Sequence, residues 1–246
     1  MGIQTGLLAR IRLGHRVSAI SISGFEAICT STLNVRGVIL DLDGVLIDSR
    51  DCWVEAERVA VASLGGQWIA REPGLGILPE SAMGLTGLAF RCGLSGYEPE
   101  LSLAINAASE DIFTRMVYPM PGAKDVLERM APLAAVAVAT NTPRHLANLM
   151  LKVTGLKQFI NAIVCSDDAE RLKPAPDIYA GACALLGLPV NDCVGIDDTP
   201  GGIQSALDAG LSALAFGSKA AKDQRLAGVV HRFDDLIVKP SYPPGN

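Results

Sequence analysis

The chain is 246 residues long with a formal net charge of −5, and 49% of it is hydrophobic against 19% charged. There is ample apolar material for a core, and the acidic balance excludes a general nucleic-acid binder. No apolar run is long enough to span a bilayer.

Residues 1–34 differ in composition from the rest. Arg10, Arg12 and Arg16 stand against a single acid, Glu26. The segment is expected to be a poorly ordered N-terminal extension. Its Arg-, Ser- and Thr-rich make-up also fits an organellar transit peptide. A cytoplasmic location is expected, with import through this extension as the alternative.

From residue 35 onward strands and helices alternate. Buried strands are predicted at 35–40, 134–139, 160–165, 193–196 and 211–216, and their continuous apolarity suits a parallel sheet covered on both faces. Helices are predicted at 144–154, 177–186 and 202–209, with Pro143 and Pro176 at two starts and Gly210 at an end. The fold class is therefore α/β, a doubly wound parallel sheet with a Rossmann-like core. One stretch breaks the alternation. Residues 50–64 and 99–116 read as helices, and the glycines and prolines between them read as loops. Tyr118 to Gly122 reads as an extended return. The expected organisation is a core of residues 35–48 and 119–246, with a helical cap, 49–118, inserted after the first strand. An insertion there lies over the strand ends, as a lid does.

The six cysteines, Cys29, Cys52, Cys92, Cys165, Cys183 and Cys193, form no C-x-x-C pair. Reduced thiols are expected. The three histidines are scattered, and His145 is expected on a solvated helix turn.

The chemistry collects at the strand ends. The first strand delivers Asp41-Leu42-Asp43-Gly44-Val45-Leu46-Ile47-Asp48. In extended backbone, side chains two apart point the same way, so Asp41 and Asp43 share one site. Two carboxylates so close need a proton, a metal ion or a base between them. The second strand ends in Thr140-Asn141-Thr142-Pro143, a hydroxyl beside a helix start and so a candidate anion site. Lys173 precedes a proline-punctuated helix start. The strand at 193–196 ends in Asp197-Asp198, adjacent carboxylates whose cost a hard divalent ion would offset.

In that order these segments resemble the haloacid dehalogenase-like hydrolases, from about residue 35 to 216. The insertion is similar to the helical cap of the phosphoglycolate phosphatase and beta-phosphoglucomutase branch. The resemblance implies a phosphatase acting on a small phosphorylated metabolite through an aspartyl-phosphate. Asp41 would be the nucleophile and Asp43 the acid and base. Thr140, Asn141 and Lys173 would hold the phosphate. Mg²⁺ would be bound by Asp41, the Asp43 carbonyl and Asp198, with Asp197 assisting. Dehalogenases of the superfamily lack an acid at the place of Asp43. Beta-phosphoglucomutases carry a histidine where this chain has Trp53, which cannot transfer a proton, so hydrolysis is favoured over mutase chemistry. A catalytically silent relative acting as a binding protein is the remaining alternative. A monomer or homodimer is expected, with neither nucleic acid nor membrane as partner. Arg50, Arg71, Arg91, Trp53 and Trp68 are candidates for the substrate pocket, with surface exposure or packing as their ordinary roles.

Overall fold

The computed structural model describes residues 31–69, 82–217, 221 and 223–239. In chain order the elements begin with strands β1 (Ser31–Asn34), β2 (Gly37–Leu40) and β3 (Ile47–Asp48). Helices α1 (Arg50–Ser63), α2 (Ala82–Arg91) and α3 (Glu98–Met116) follow, and β4 (Tyr118–Pro119) returns the chain. Next come α4 (Ala123–Met130), β5 (Ala135–Ala139), α5 (Arg144–Val153) and β6 (Ala162–Val164). The chain then forms α6 (Asp177–Leu186), β7 (Cys193–Asp197), α7 (Pro200–Asp208) and β8 (Ser212–Phe216). It ends with β9 (Gly228–Val230) and β10 (Leu236–Lys239).

Six strands form one parallel sheet in the order β6-β5-β2-β7-β8-β9. The central strand β2 is buried at all four positions. Its alternation feeds two cores. Val38 and Leu40 point to one face with Val136, Val138, Val194 and Ile196, against α4 and α5. Ile39 points to the other with Ala137, Ala139, Ala213 and Ala215, against α6 and α7. Small residues on the second face admit those helices closely. The hydrophobic interior of the three-helix insertion, with Trp53, Leu88, Ile105 and Phe113, is continuous with the first core.

The chain order places β2 between β5 and β7, so the direction of winding reverses beside it. A crevice at the carboxyl ends is the usual ligand position in such sheets. The insertion leaves from and returns to that crevice. Its two crossings pair antiparallel, Ile47 with Pro119 and Asp48 with Tyr118. Among the described residues no helix is long and apolar enough to cross a membrane.

Several expectations need correction. Residues 1–30 lie outside the described residues, but Ser31–Asn34 is a strand rather than part of a poorly ordered extension. It pairs in parallel with Leu236–Lys239, a partner some two hundred residues away that leaves no local signal. The return at Tyr118 is likewise half of a short ribbon rather than a free linker. Helix α2 occupies part of the stretch read as loop, its periodicity interrupted by Gly84 and Gly87. Helix α4 was not anticipated; it follows Gly122, whose φ of 79° turns the chain into it. Cys52, Cys92, Cys165, Cys183 and Cys193 are buried free thiols. Burial pushes Cys52 up to about 11 and Cys165 up to about 12, so both stay protonated.

Candidate active site

Asp41 continues the β2 line, its N–H donating to the Ile196 carbonyl at 2.9 Å. The chain then closes a tight loop. The N–H groups of Leu46 and Ile47 both donate to the Leu42 carbonyl, at 3.0 and 2.9 Å, and Gly44 donates to Ile47 at 2.8 Å. Leu42 is buried, while Asp41 and Asp43 on either side of it are only 7% and 9% exposed and face the site. Gly44 has a φ of 83°, and a Cβ there would lie 2.6 Å from the Asp198 carboxylate. The glycine is needed both for the turn and for the approach of the second acid pair.

Lys173 Nζ bridges the two acid pairs, at 2.7 Å from Asp41 Oδ1 and 2.8 Å from Asp197 Oδ2. Its side chain is only 7% exposed and lies over the Tyr179 ring, 4.9 Å from the centroid. Burial alone would lower its proton affinity, but the Asp197 and Asp41 carboxylates outweigh that and raise it. The ammonium therefore stays charged. Asn141 fixes the loop that carries it. Its side chain accepts from the Lys173 N–H at 3.0 Å and donates to the Lys173 carbonyl at 3.4 Å.

Asp197 is saturated. Oδ2 accepts from Lys173 and from the Tyr179 hydroxyl at 3.0 Å; Oδ1 accepts from the Thr199 N–H at 2.9 Å and the Thr199 hydroxyl at 2.8 Å. Those four bonds fill a carboxylate's acceptor positions. Gly202, in the first turn of α7, leaves room for this carboxylate where a Cβ would collide with it. Burial pushes the Tyr179 phenol well above its usual range, and the Asp197 charge adds to the rise, so Tyr179 remains a donor.

Asp41, Asp197 and Asp198 each bring a carboxylate oxygen within 4.8 Å of the others. Burial pushes Asp41 well above the usual carboxylate range; Lys173 opposes the rise, while Asp197, Asp198 and Asp43 add to it. Three carboxylates against the one Lys173 ammonium leave two negative charges in excess, which fits a divalent cation.

Asp43 has a separate set of hydrogen-bond partners. Oδ1 accepts from the Ser49 hydroxyl and, at 2.8 Å, from Trp53 Nε1; Oδ2 accepts from the Thr142 hydroxyl at 2.6 Å. Thr140 is 1% exposed and accepts from the Thr142 N–H at 3.0 Å, holding the β5 loop in shape.

The structure thus brings Asp41, Asp43, Thr140, Asn141, Lys173, Asp197 and Asp198 to one crevice. Ser49, Thr142 and Tyr179 join them unanticipated. Trp53, a pocket candidate whose ordinary role is packing, does both: it meets Phe113 edge-on at 4.8 Å between centroids and lines a cavity beyond Asp43, and its N–H also reaches Asp43. His145 is a half-exposed helix residue, 3.9 Å from Glu110.

Beyond Asp43 lies a cavity of about 190 Å³. The insertion contributes Trp53, Leu85, Ser102, Ile105 and Asn106; the core contributes Asn141, Pro143, Ser166 and Leu172. No lining residue among those described carries a charge. The neighbouring cations are engaged elsewhere, Arg144 with Asp168 and Arg171 with Asp177. Arg50 is exposed, neither it nor Arg91 lines the cavity, and Arg71 lies outside the described residues.

A family model described as haloacid dehalogenase-like hydrolase matches residues 35–210. The chain is 32% identical over 194 residues to the protein SUPPRESSOR OF QUENCHING 1, chloroplastic, of Arabidopsis thaliana, covering 74% of this chain but only 18% of that protein. It is 25% identical to the phosphorylated carbohydrates phosphatase of Thermotoga maritima, over 82% of this chain and 88% of the other. Among solved structures, CbbY of Rhodobacter sphaeroides in complex with phosphate superposes with a TM-score of 0.66 at 18% identity, over 81% of this chain and 95% of that one. That likeness is one of fold.

Proposed function

This chain belongs to the haloacid dehalogenase-like hydrolase family, and we propose that it is a Mg²⁺-dependent phosphatase of small phosphorylated sugars or polyols. The observation that carries the reading is Lys173 held between Asp41 and Asp197 with Asp198 alongside, which assembles one nucleophilic carboxylate and a cation in a buried site. Phosphoryl transfer asks a protein mainly for positioning and charge neutralisation.

Asp41 attacks phosphorus and becomes an aspartyl-phosphate; water then releases phosphate. Asp43 protonates the departing oxygen and later takes the proton of that water. Lys173, Thr140 and the backbone at Asn141 hold the phosphoryl oxygens. Asp41, the Asp43 carbonyl and Asp198 would hold Mg²⁺, which when bound supplies charge neutralisation for the anionic nucleophile and substrate. Asp197, with its acceptor positions filled, orients Lys173 and assists from behind. Residues 35–48 and 119–239 act as the catalytic core, and residues 49–118 as a cap that closes over the ester. The neutral cavity suits a hydroxylated leaving group. The name of the Thermotoga relative, a phosphorylated carbohydrates phosphatase, supports the same class.

Wild type and Asp41→Asn are to be assayed with Mg²⁺ on fructose 1-phosphate, sorbitol 6-phosphate, glycerol 3-phosphate, phosphoglycolate and aryl phosphates. Phosphate release by wild type alone is expected. No release from any ester, or equal release by the variant, would overturn the reading.

A further inference from the structure

The geometry points to Oδ2 of Asp43 as the atom that moves the proton, and to Trp53 and Ser49 as the positioning residues that keep it there. This rests on the phosphatase reading above but concerns how its acid is aimed. A carboxylate offers about four acceptor positions, two on each oxygen. At Asp43 both positions on Oδ1 are taken, by Ser49 Oγ and by Trp53 Nε1. Among the described residues Oδ2 accepts only from Thr142 Oγ1, at 2.6 Å. One position is left, and it is on Oδ2.

The donors divide by origin. Ser49 and Trp53 stand at the start of the insertion, in the N-cap and first turn of α1. Thr142 comes from the β5 loop that also carries Thr140. The insertion therefore occupies Oδ1, and the core side of the carboxylate keeps the working lone pair. Trp53 is suited to the task because it is immobile: 1% exposed, wedged edge-on against Phe113, and forming a wall of the neutral cavity where the leaving group would lie. An indole N–H donates and has no acceptor, so it fixes the carboxylate without competing for the proton.

In the first step the bond from Asp41 to phosphorus forms and the ester P–O bond breaks, while the proton on Asp43 Oδ2 passes to the leaving oxygen. In the second, water oxygen bonds phosphorus and the aspartyl P–O bond breaks. The proton of that water goes to Oδ2, which restores both carboxyl groups and releases phosphate.

Trp53→Phe removes the N–H and keeps the ring against Phe113. Its kcat/KM reports the step in which the leaving group departs, so it is measured on two esters in saturating Mg²⁺. Phenyl phosphate expels phenolate, a basic leaving group that needs the proton; dinitrophenyl phosphate expels dinitrophenolate, which is far less basic and does not. Loss of acid positioning is expected to lower kcat/KM about 30-fold on phenyl phosphate and less than about 3-fold on dinitrophenyl phosphate. Ser49→Ala is expected to show the same split, which guards against a folding defect in the tryptophan variant. A merely structural role would lower both esters together. Equal losses on the two esters in both variants, or no loss in either, would overturn the assignment. A wild type inactive on every ester would instead remove the phosphatase reading beneath it.

Discussion

The two halves of the crevice are built on opposite plans. The sheet side is charged and tightly bonded: Asp41, Lys173, Asp197 and Tyr179 form one connected buried network, in which Asp197 of β7 accepts from Lys173, from Tyr179 of α6 and from Thr199 at the start of α7. The insertion side of the cavity is neutral among the described residues, walled by Trp53, Ser102, Ile105 and Asn106. The difference teaches where each property of the enzyme resides. On the proposed function, reaction chemistry would be set by groups that cannot move without exposing or unpairing a buried charge. On the same reading, choice of leaving group would be set by side chains that can be exchanged at little electrostatic cost. Asp43 is the one carboxylate that touches both halves.

The sharpest way to break this contrast is at the nucleophile. Asp41→Asn is expected to lower kcat by about 10⁴-fold or more on every ester alike, since without a nucleophile binding alone remains. Steady-state phosphate release measures it. Retained activity on any one ester would place chemistry outside the sheet side.

Lys173→Met comes next. It leaves Asp41 and Asp197 as buried carboxylates without their ammonium. Turnover is expected to fall about 10³-fold, and the metal-free protein to lose about 3–5 kcal/mol in chemical denaturation. Loss of turnover without loss of stability would mean that the lysine is not the keystone of the network.

Chelation follows. Removal of Mg²⁺ is expected to abolish turnover. The thermal midpoint is expected to drop by about 5 °C, because the mutual repulsion of Asp41, Asp197 and Asp198 is then offset by Lys173 alone. Restoring Mg²⁺ should recover the midpoint, whereas NaCl at equal ionic strength should not. A midpoint indifferent to Mg²⁺ would argue against the acidic cluster as its site.

The smallest effect belongs to the neutral wall. Asn106→Ala is expected to raise KM about 3- to 10-fold on the best sugar phosphate and to leave p-nitrophenyl phosphate within about 2-fold. A uniform change on both would show that the wall does not read the leaving group.

Much of this was legible before any coordinates. The core strands 35–40, 134–139, 193–196 and 211–216 stand out because continuous apolarity is rare outside a doubly covered sheet. The acids are legible for the converse reason: Asp41, Asp43 and Asp197-Asp198 interrupt such runs where charge is otherwise costly. The unforeseen contacts share another property. Trp53 and Tyr179 belong to helices whose apolar faces explain them fully as core, and their polar atoms reach the site only through space. Ser49 reads as an ordinary helix cap. Strand β1 is invisible locally because its four residues, Ser31 to Asn34, gain their meaning only from Leu236–Lys239.

The paired crossings at Ile47–Asp48 and Tyr118–Pro119 carry one more consequence. A chain that departs from a sheet and rejoins it through adjacent strands closes the circuit of the remaining fold at that ribbon. Everything hung beyond it is then an interchangeable accessory: the ribbon could be sealed by a short turn, or fitted with the accessory of a relative, with the strands left in register. On the proposed function, such a joint would let selection rewrite substrate preference wholesale, by exchange of a part, with no change to the apparatus that breaks the ester.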